Sequence, residues 1–153
     1  MKALTALRAR LRRGGAPKPA RHRTAQLRAV SLACSHMDHS YGYSFWLRRE
    51  EERWLLDAEC FLRDLTEETA LESRETGGQD LAELFAVLER TDAIARAENW
   101  KKPKAPPFQI LDETVYSLGL SFLDGSRYRT GSREPELEQF FYRLAEKLAG
   151  PNP

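Results

Sequence analysis

Two cysteines are all that this chain of 153 residues contains, and neither sits at the spacing of a metal knuckle or a redox dithiol. Cys34 and Cys60 are too few for a disulfide framework. The expectation is a fold without covalent staples in a reducing, cytoplasmic location. A single domain of this size buries roughly two-thirds of the surface its unfolded chain exposes, so it needs none. Long apolar runs are missing too: none approaches the ~18 residues that suggest a membrane-spanning helix. The opening "MKALTALRARLRR" has charge but no apolar core, so it does not read as a secretory signal. It also lacks serine, which suits an organelle transit peptide poorly. No GK[ST] follows the lone glycine of "LDGS", and H-E-x-x-H is absent, so no motif implies a cofactor.

Acid is missing from residues 1–28. That stretch holds nine of the 24 bases and none of the 23 acids, leaving 15 bases against 23 acids in the rest. A net charge of +1 therefore hides a basic arm on an acidic body. Leu4, Leu7 and Leu11 recur at helical spacing among arginines, and "GGAPKPARHR" then breaks the pattern. Residues 1–26 are expected to be a basic, disordered tail. The alternative is a tail that binds nucleic acid or an anionic membrane surface.

The body, 27–150, reads as a single α+β domain. Val30, Leu32 and Cys34 alternate with polar neighbours, as do Tyr43, Phe45 and Leu47, then Trp54, Leu56, Ala58, Cys60 and Leu62. Period two over such lengths predicts strands. "RREEER" joins the second and third without the glycine a tight turn prefers. "TALESRE" suggests a weaker fourth strand, polar enough for an edge. The period then changes. Leu81, Leu84, Phe85 and Leu88 predict one helix over about 80–98, with Asp80 and Glu83 as a capping box. Tyr116, Leu118, Leu120 and Phe122 alternate before the turn pair Asp124-Gly125, which predicts a hairpin. Pro135 opens a last helix with Leu137, Phe140, Phe141, Leu144 and Leu148 on one stripe, stopped at Gly150-Pro151. The predicted fold class is α+β: a single antiparallel sheet of about five or six strands with two helices packed on one face, in the order β-β-β-(β)-α-β-β-α.

"CSHMDHSYGY" at 34–43 concentrates metal-ligating types. On a strand Cys34, His36 and Asp38 project to one side, and His39 can join from the turn. Against a metal, Cys34 falls on the core face, no second cluster supplies ligands, and Asp38, His39, Ser40 and Gly42 are ordinary turn formers. His36, Asp38 and His39 stay candidates for a small metal- or ligand-binding site, with a plain turn the favoured reading. Glu50, Glu51, Glu52, Glu67 and Glu68 read as solvated loop acids, which lack the burial that paired catalytic carboxylates need. "NWKKPKAPPF" interleaves Trp100 and Phe108 with lysines, as single-strand binders do, yet it also suits an extended crossover.

Trp46, Arg48, Leu55 and Phe61 share the outer sheet face with Asp57, Glu59, Ser117, Gly119 and Ser121. A shallow floor of small residues flanked by large ones suits a peptide, a flat ligand or a second copy of the sheet. The competing reading is that Trp46 lies over Gly119 or a neighbouring strand and simply covers that face.

The run "SHMDHSYGYSFWLRR", "LLDAECF", "NW" and "LDETVYSLGLSFLDGSRY", with the closing helix, resembles a family of small uncharacterised bacterial proteins over about residues 27–149, most specifically at 111–128. The resemblance implies the same α+β fold and no activity, cofactor or catalytic residue. The element order is also similar to that of type III secretion chaperones, which bind extended segments, a likeness of topology alone. The functional expectation is a non-enzymatic protein-interaction or self-association module.

Overall fold

The computed structural model describes residues 18–36, 41–62, 69–102 and 114–150. Strands β1 (Leu27–His36), β2 (Tyr41–Glu50), β3 (Arg53–Leu62) and β4 (Thr69–Thr76) precede helices α1 (Gly78–Arg90) and α2 (Ala93–Glu98). Strands β5 (Thr114–Phe122) and β6 (Arg127–Thr130) and helix α3 (Pro135–Ala149) follow. The strands form one six-stranded antiparallel sheet in the order β4-β3-β2-β1-β5-β6. The α+β class and the single sheet are as the alternation predicts, and "TALESRE" is indeed an edge strand.

Alternation decides which side chains meet the helices. Val30, Leu32, Phe45, Leu47, Leu56, Leu118, Leu120 and Phe122 are all at most 1 % exposed, and they form one cluster with the helical stripes. From α1 come Leu84, Val87 and Leu88, and from α3 come Leu137, Phe140, Phe141 and Leu144. Phe141 stacks on Phe45 with ring centroids 5.2 Å apart, and Phe85 meets Trp54 edge-on at 6.1 Å. Aromatic pairs of this kind contribute about 1 kcal/mol beyond the area they bury. All three helices thus close the same face. Among the described residues no helix is long and apolar enough to cross a membrane.

Two expectations need correction. The rod expected over 80–98 is two helices, because Asp92 takes a left-handed conformation with φ 52°. The Thr91 hydroxyl donates to the Val87 carbonyl at 2.8 Å, and the Arg96 guanidinium donates to the Thr91 carbonyl at 2.9 Å, so the break is capped from both sides. The redirected turn buries Ala93, Ile94, Ala95 and Ala97, more than one stripe of a straight helix would. The capping box is also absent. The N-cap is Gly77, without a side-chain cap, and Asp80 and Glu83 instead reach Lys147 at 3.0 Å and Arg143 at 3.1 Å on α3.

The turn between β2 and β3 is closed by Glu51 at φ 58°, an uncommon conformation for a side chain with a Cβ. Ser73, at φ 49°, marks a bulge where β4 slips against β3. The hairpin of β5 and β6 turns at Gly125, φ 90°, with the Asp124 carboxylate accepting the Ser126 amide at 2.8 Å.

One buried ion pair ties α2 to the start of α3. Glu134, 5 % exposed, accepts two hydrogen bonds from Arg96, at 2.9 and 2.5 Å, and one from Ser132 at 2.8 Å. Removing one partner strands the other charge. Glu134→Ala is expected to lower the unfolding free energy by about 2–3 kcal/mol, short of the full ~3–5 for a sealed pair because Arg96 keeps some solvent contact. Asp80→Ala, at a wetter pair, should cost under ~1 kcal/mol. Urea denaturation of both variants checks the contrast.

Candidate functional site

The face of the sheet turned away from the helices is built by the residues that the core alternation leaves over. β1 contributes Ala29, Ser31 and Ala33, β2 contributes Ser44 and Trp46, and β5 contributes Ser117, Gly119 and Ser121. The register sets Trp46 beside Ser31, and Ser31 beside Gly119. A Cβ at Gly119 would stand 2.5 Å from the Ser31 hydroxyl, so the glycine keeps the floor flat. With neighbours this small, Trp46 remains 46 % exposed, and hollows of about 220, 490 and 400 Å³ adjoin it. An exposed indole at the middle of a sheet, rather than at a rim, is the conspicuous feature of this surface.

Arg48 holds Trp46 in place. Its guanidinium lies 4.3 Å from the centre of the indole, a cation–π contact. It also donates to Glu50 at 3.1 Å and to Ser73 at 3.0 Å, and it lies 3.0 Å from the Asp57 carboxylate. Asp57 in turn accepts the Ser73 amide at 2.7 Å. The charge of Arg48 is therefore matched within the chain, and its role is to position the indole. Leu55 is on this face by register, opposite Arg48, yet only 7 % exposed, so it is covered there and offers little contact area. Phe61 pairs with Gly42, and its side chain lies outside the described residues.

Charge divides the face. Arg127 and Arg129 are exposed on β6, at one edge. Glu72 and Glu75 are exposed on β4, at the other, with Asp57 and Glu59 beside them on β3.

Of the candidate metal ligands, His36 ends β1 half-buried opposite Thr114, whereas Asp38 and His39 lie outside the described residues. Among the described residues no group of three or more His, Cys, Asp or Glu is arranged to hold a metal ion. Cys34 faces the core, 4 % exposed, and burial raises its thiol; burial pushes Cys60 up to about 11. Neither is a ready thiolate. Trp100 is described, while Lys104 and Phe108 lie outside the described residues.

Sequence reasoning missed His22. The end of the basic arm docks on the body: His22 Nδ1 lies 2.6 Å from Glu98 on α2 and Nε2 lies 2.7 Å from Asp124 in the β5–β6 turn. The ring stacks on Phe122 at 4.2 Å and meets the edge of Tyr128 at 5.7 Å. Glu98 also accepts the Arg21 and His22 amides at 2.7 and 3.2 Å. Beside this contact a groove of about 560 Å³ runs between the docked segment and the helices, past Ala25, Leu88 and Ile94. Partners 76 and 102 residues away leave no local pattern in the sequence.

No protein-family model, no curated protein and no solved structure matches this chain.

Two carboxylates on its two ring nitrogens favour His22 as the imidazolium, since both nitrogens must donate. The Glu98 hydrogen bond, then the Asp124 one, raise its pKa above the ordinary 6.5. Burial alone would raise the Glu98 carboxyl, but His22 and the Arg21 amide outweigh it and hold it low. The Ser126 amide first, and His22 next, hold Asp124 at about 2. A raised histidine contributes stability that is complete below the unfolded pKa and is lost as pH rises through the folded one. The depressed acids contribute stability above their unfolded values that is lost as pH falls through the folded ones. Docking of residues 18–26 should therefore hold in mildly acidic solution and loosen as pH climbs past about 6.5. Amide exchange of residues 21–26 across pH 5 to 9, corrected for intrinsic rates, should show this loosening. In His22→Ala the segment should exchange fast throughout.

Proposed function

We propose that this protein is a non-enzymatic interaction module, working in a reducing cytoplasm, that docks another protein surface on the open face of its sheet. The observation that carries this reading is Trp46, which strand alternation places outside the core and Arg48 stacks against, over a floor of serine, alanine and glycine. Tryptophan and arginine are enriched in binding hot spots: the indole supplies contact area, and its fixed orientation reduces the entropy lost on binding. The two free cysteines accord with the compartment.

A photo-reactive residue at Ser44, on the open face, tests this against one at Glu146, exposed on the helix layer. The expected outcome in living cells is a small set of defined protein adducts at position 44 and few at 146. Trp46→Ala should abolish the adducts at 44 while leaving the thermal midpoint nearly unchanged, as a half-exposed side chain permits. An absence of adducts at 44, or an equal yield at both positions, overturns the reading.

A further inference from the structure

We infer that the occupant of the open face is a second copy of this chain, packed sheet on sheet about a two-fold axis that runs along the strands between β1 and β2. This deepens the reading of that face as the interaction surface and rests on it. Charge selects the axis. Six strands place the centre of the sheet between β1 and β2. A two-fold along the strands carries the β6 edge of one copy over the β4 edge of the other and keeps the level along the strand. The register then sets positions in pairs. Arg127 pairs with Ser121, which lies on the row of Ala29, Arg48, Leu55 and Glu75. Arg129 pairs with Gly119, on the row of Ser31, Trp46 and Asp57, beside which lie Glu72 and Ser73 in the bulge. Arg127 of each copy therefore comes to the level of Glu75 of the other, and Arg129 to that of Glu72. The perpendicular axis, across the strands, would set acid on acid and base on base. Complementary potentials fix register and orientation in this way.

Shape agrees with charge. In the same rotation Trp46 of one copy comes over Ser31 of the other, next to the flat patch that Gly119 preserves. Aligned sheets pack within about 30° of each other, so the rows stay in step near the axis. Strand spacing of ~4.8 Å and a rise of ~3.3 Å per residue give the face roughly 600 Å² in projection, and more along its relief. Standard interfaces bury about 800 Å² per partner. The sheet edges are less inviting: β6 has four residues, two of them these arginines, and β4 is bulged at Ser73, both devices that discourage strand addition. A nucleic acid would meet repulsion from the acidic half.

Charge exchange tests the pairing. Wild-type protein should sediment as a dimer in the micromolar range. Arg129→Glu and Glu72→Arg should each weaken self-association tenfold or more and shift it towards monomer, since each homodimer then holds two like-charge contacts. Mixing the two variants should restore the dimer, because both contacts in the mixed species are of opposite sign, and so should the doubly exchanged chain. Trp46→Ala should dissociate the dimer without altering the fold by circular dichroism. A wild type that stays monomeric, a dimer indifferent to either reversal, or a mixture that fails to reassociate overturns the inference. Adducts at position 44 with a different protein or with nucleic acid, alongside a monomeric wild type, overturn the second copy as occupant. Of these, the protein adduct leaves the face as an interaction surface, whereas an absence of any adduct removes the face itself.

Discussion

Strand β1 is hydrogen-bonded on both sides, to β2 over Ala29–Ser35 and to β5 over nearly the same residues, and this double pairing constrains the molecule most. A strand with two neighbours cannot slip by one residue without turning Val30, Leu32 and Cys34 out and Ala29, Ser31 and Ala33 in. The same alternation therefore fixes two surfaces at once. One receives the helices, with Phe45 on Phe141 near its centre. The other inherits whatever the core does not need, here, over Ala29–Ser35 of β1 and Ser117–Ser121 of β5, side chains of at most two heavy atoms.

That inheritance explains why Trp46 is exposed. An indole at the middle of a sheet normally lies flat over its neighbours. Here the neighbours are too small to cover it, and Arg48 covers only one of its faces. The arginine, in turn, is hydrogen-bonded to Glu50 and Ser73 and ion-paired with Asp57, and the Ser73 bulge supplies both a hydroxyl to Arg48 and an amide to Asp57. The irregularity in β4 is thus tied to the posture of a side chain two strands away.

Much of this was legible in the sequence. Strict alternation in β1, β2, β3 and β5 gives the sheet and its sidedness, and Asp124-Gly125 gives the last turn. What was not legible depends on distant contacts. The break at Asp92 shows in the sequence only as a weakening of the apolar stripe after Leu88, because Thr91 and Arg96 complete it through hydrogen bonds. Asp80 has the spacing of a cap, yet Lys147 on α3 is its partner. Leu55 is correctly placed on the open face by parity, but parity does not report that the side chain is covered. His22 looked like part of a basic tail because its two carboxylates lie far along the chain.

The docking of His22 also decides geometry at a larger scale. It pins residues 18–26 against α2, where the Asn99 amide reaches the Lys18 carbonyl at 3.5 Å. Trp46 looks out of the opposite layer. The molecule is thus two-sided: residues 18–26 are spent on closing the helix layer, and the tryptophan side is left unobstructed by them.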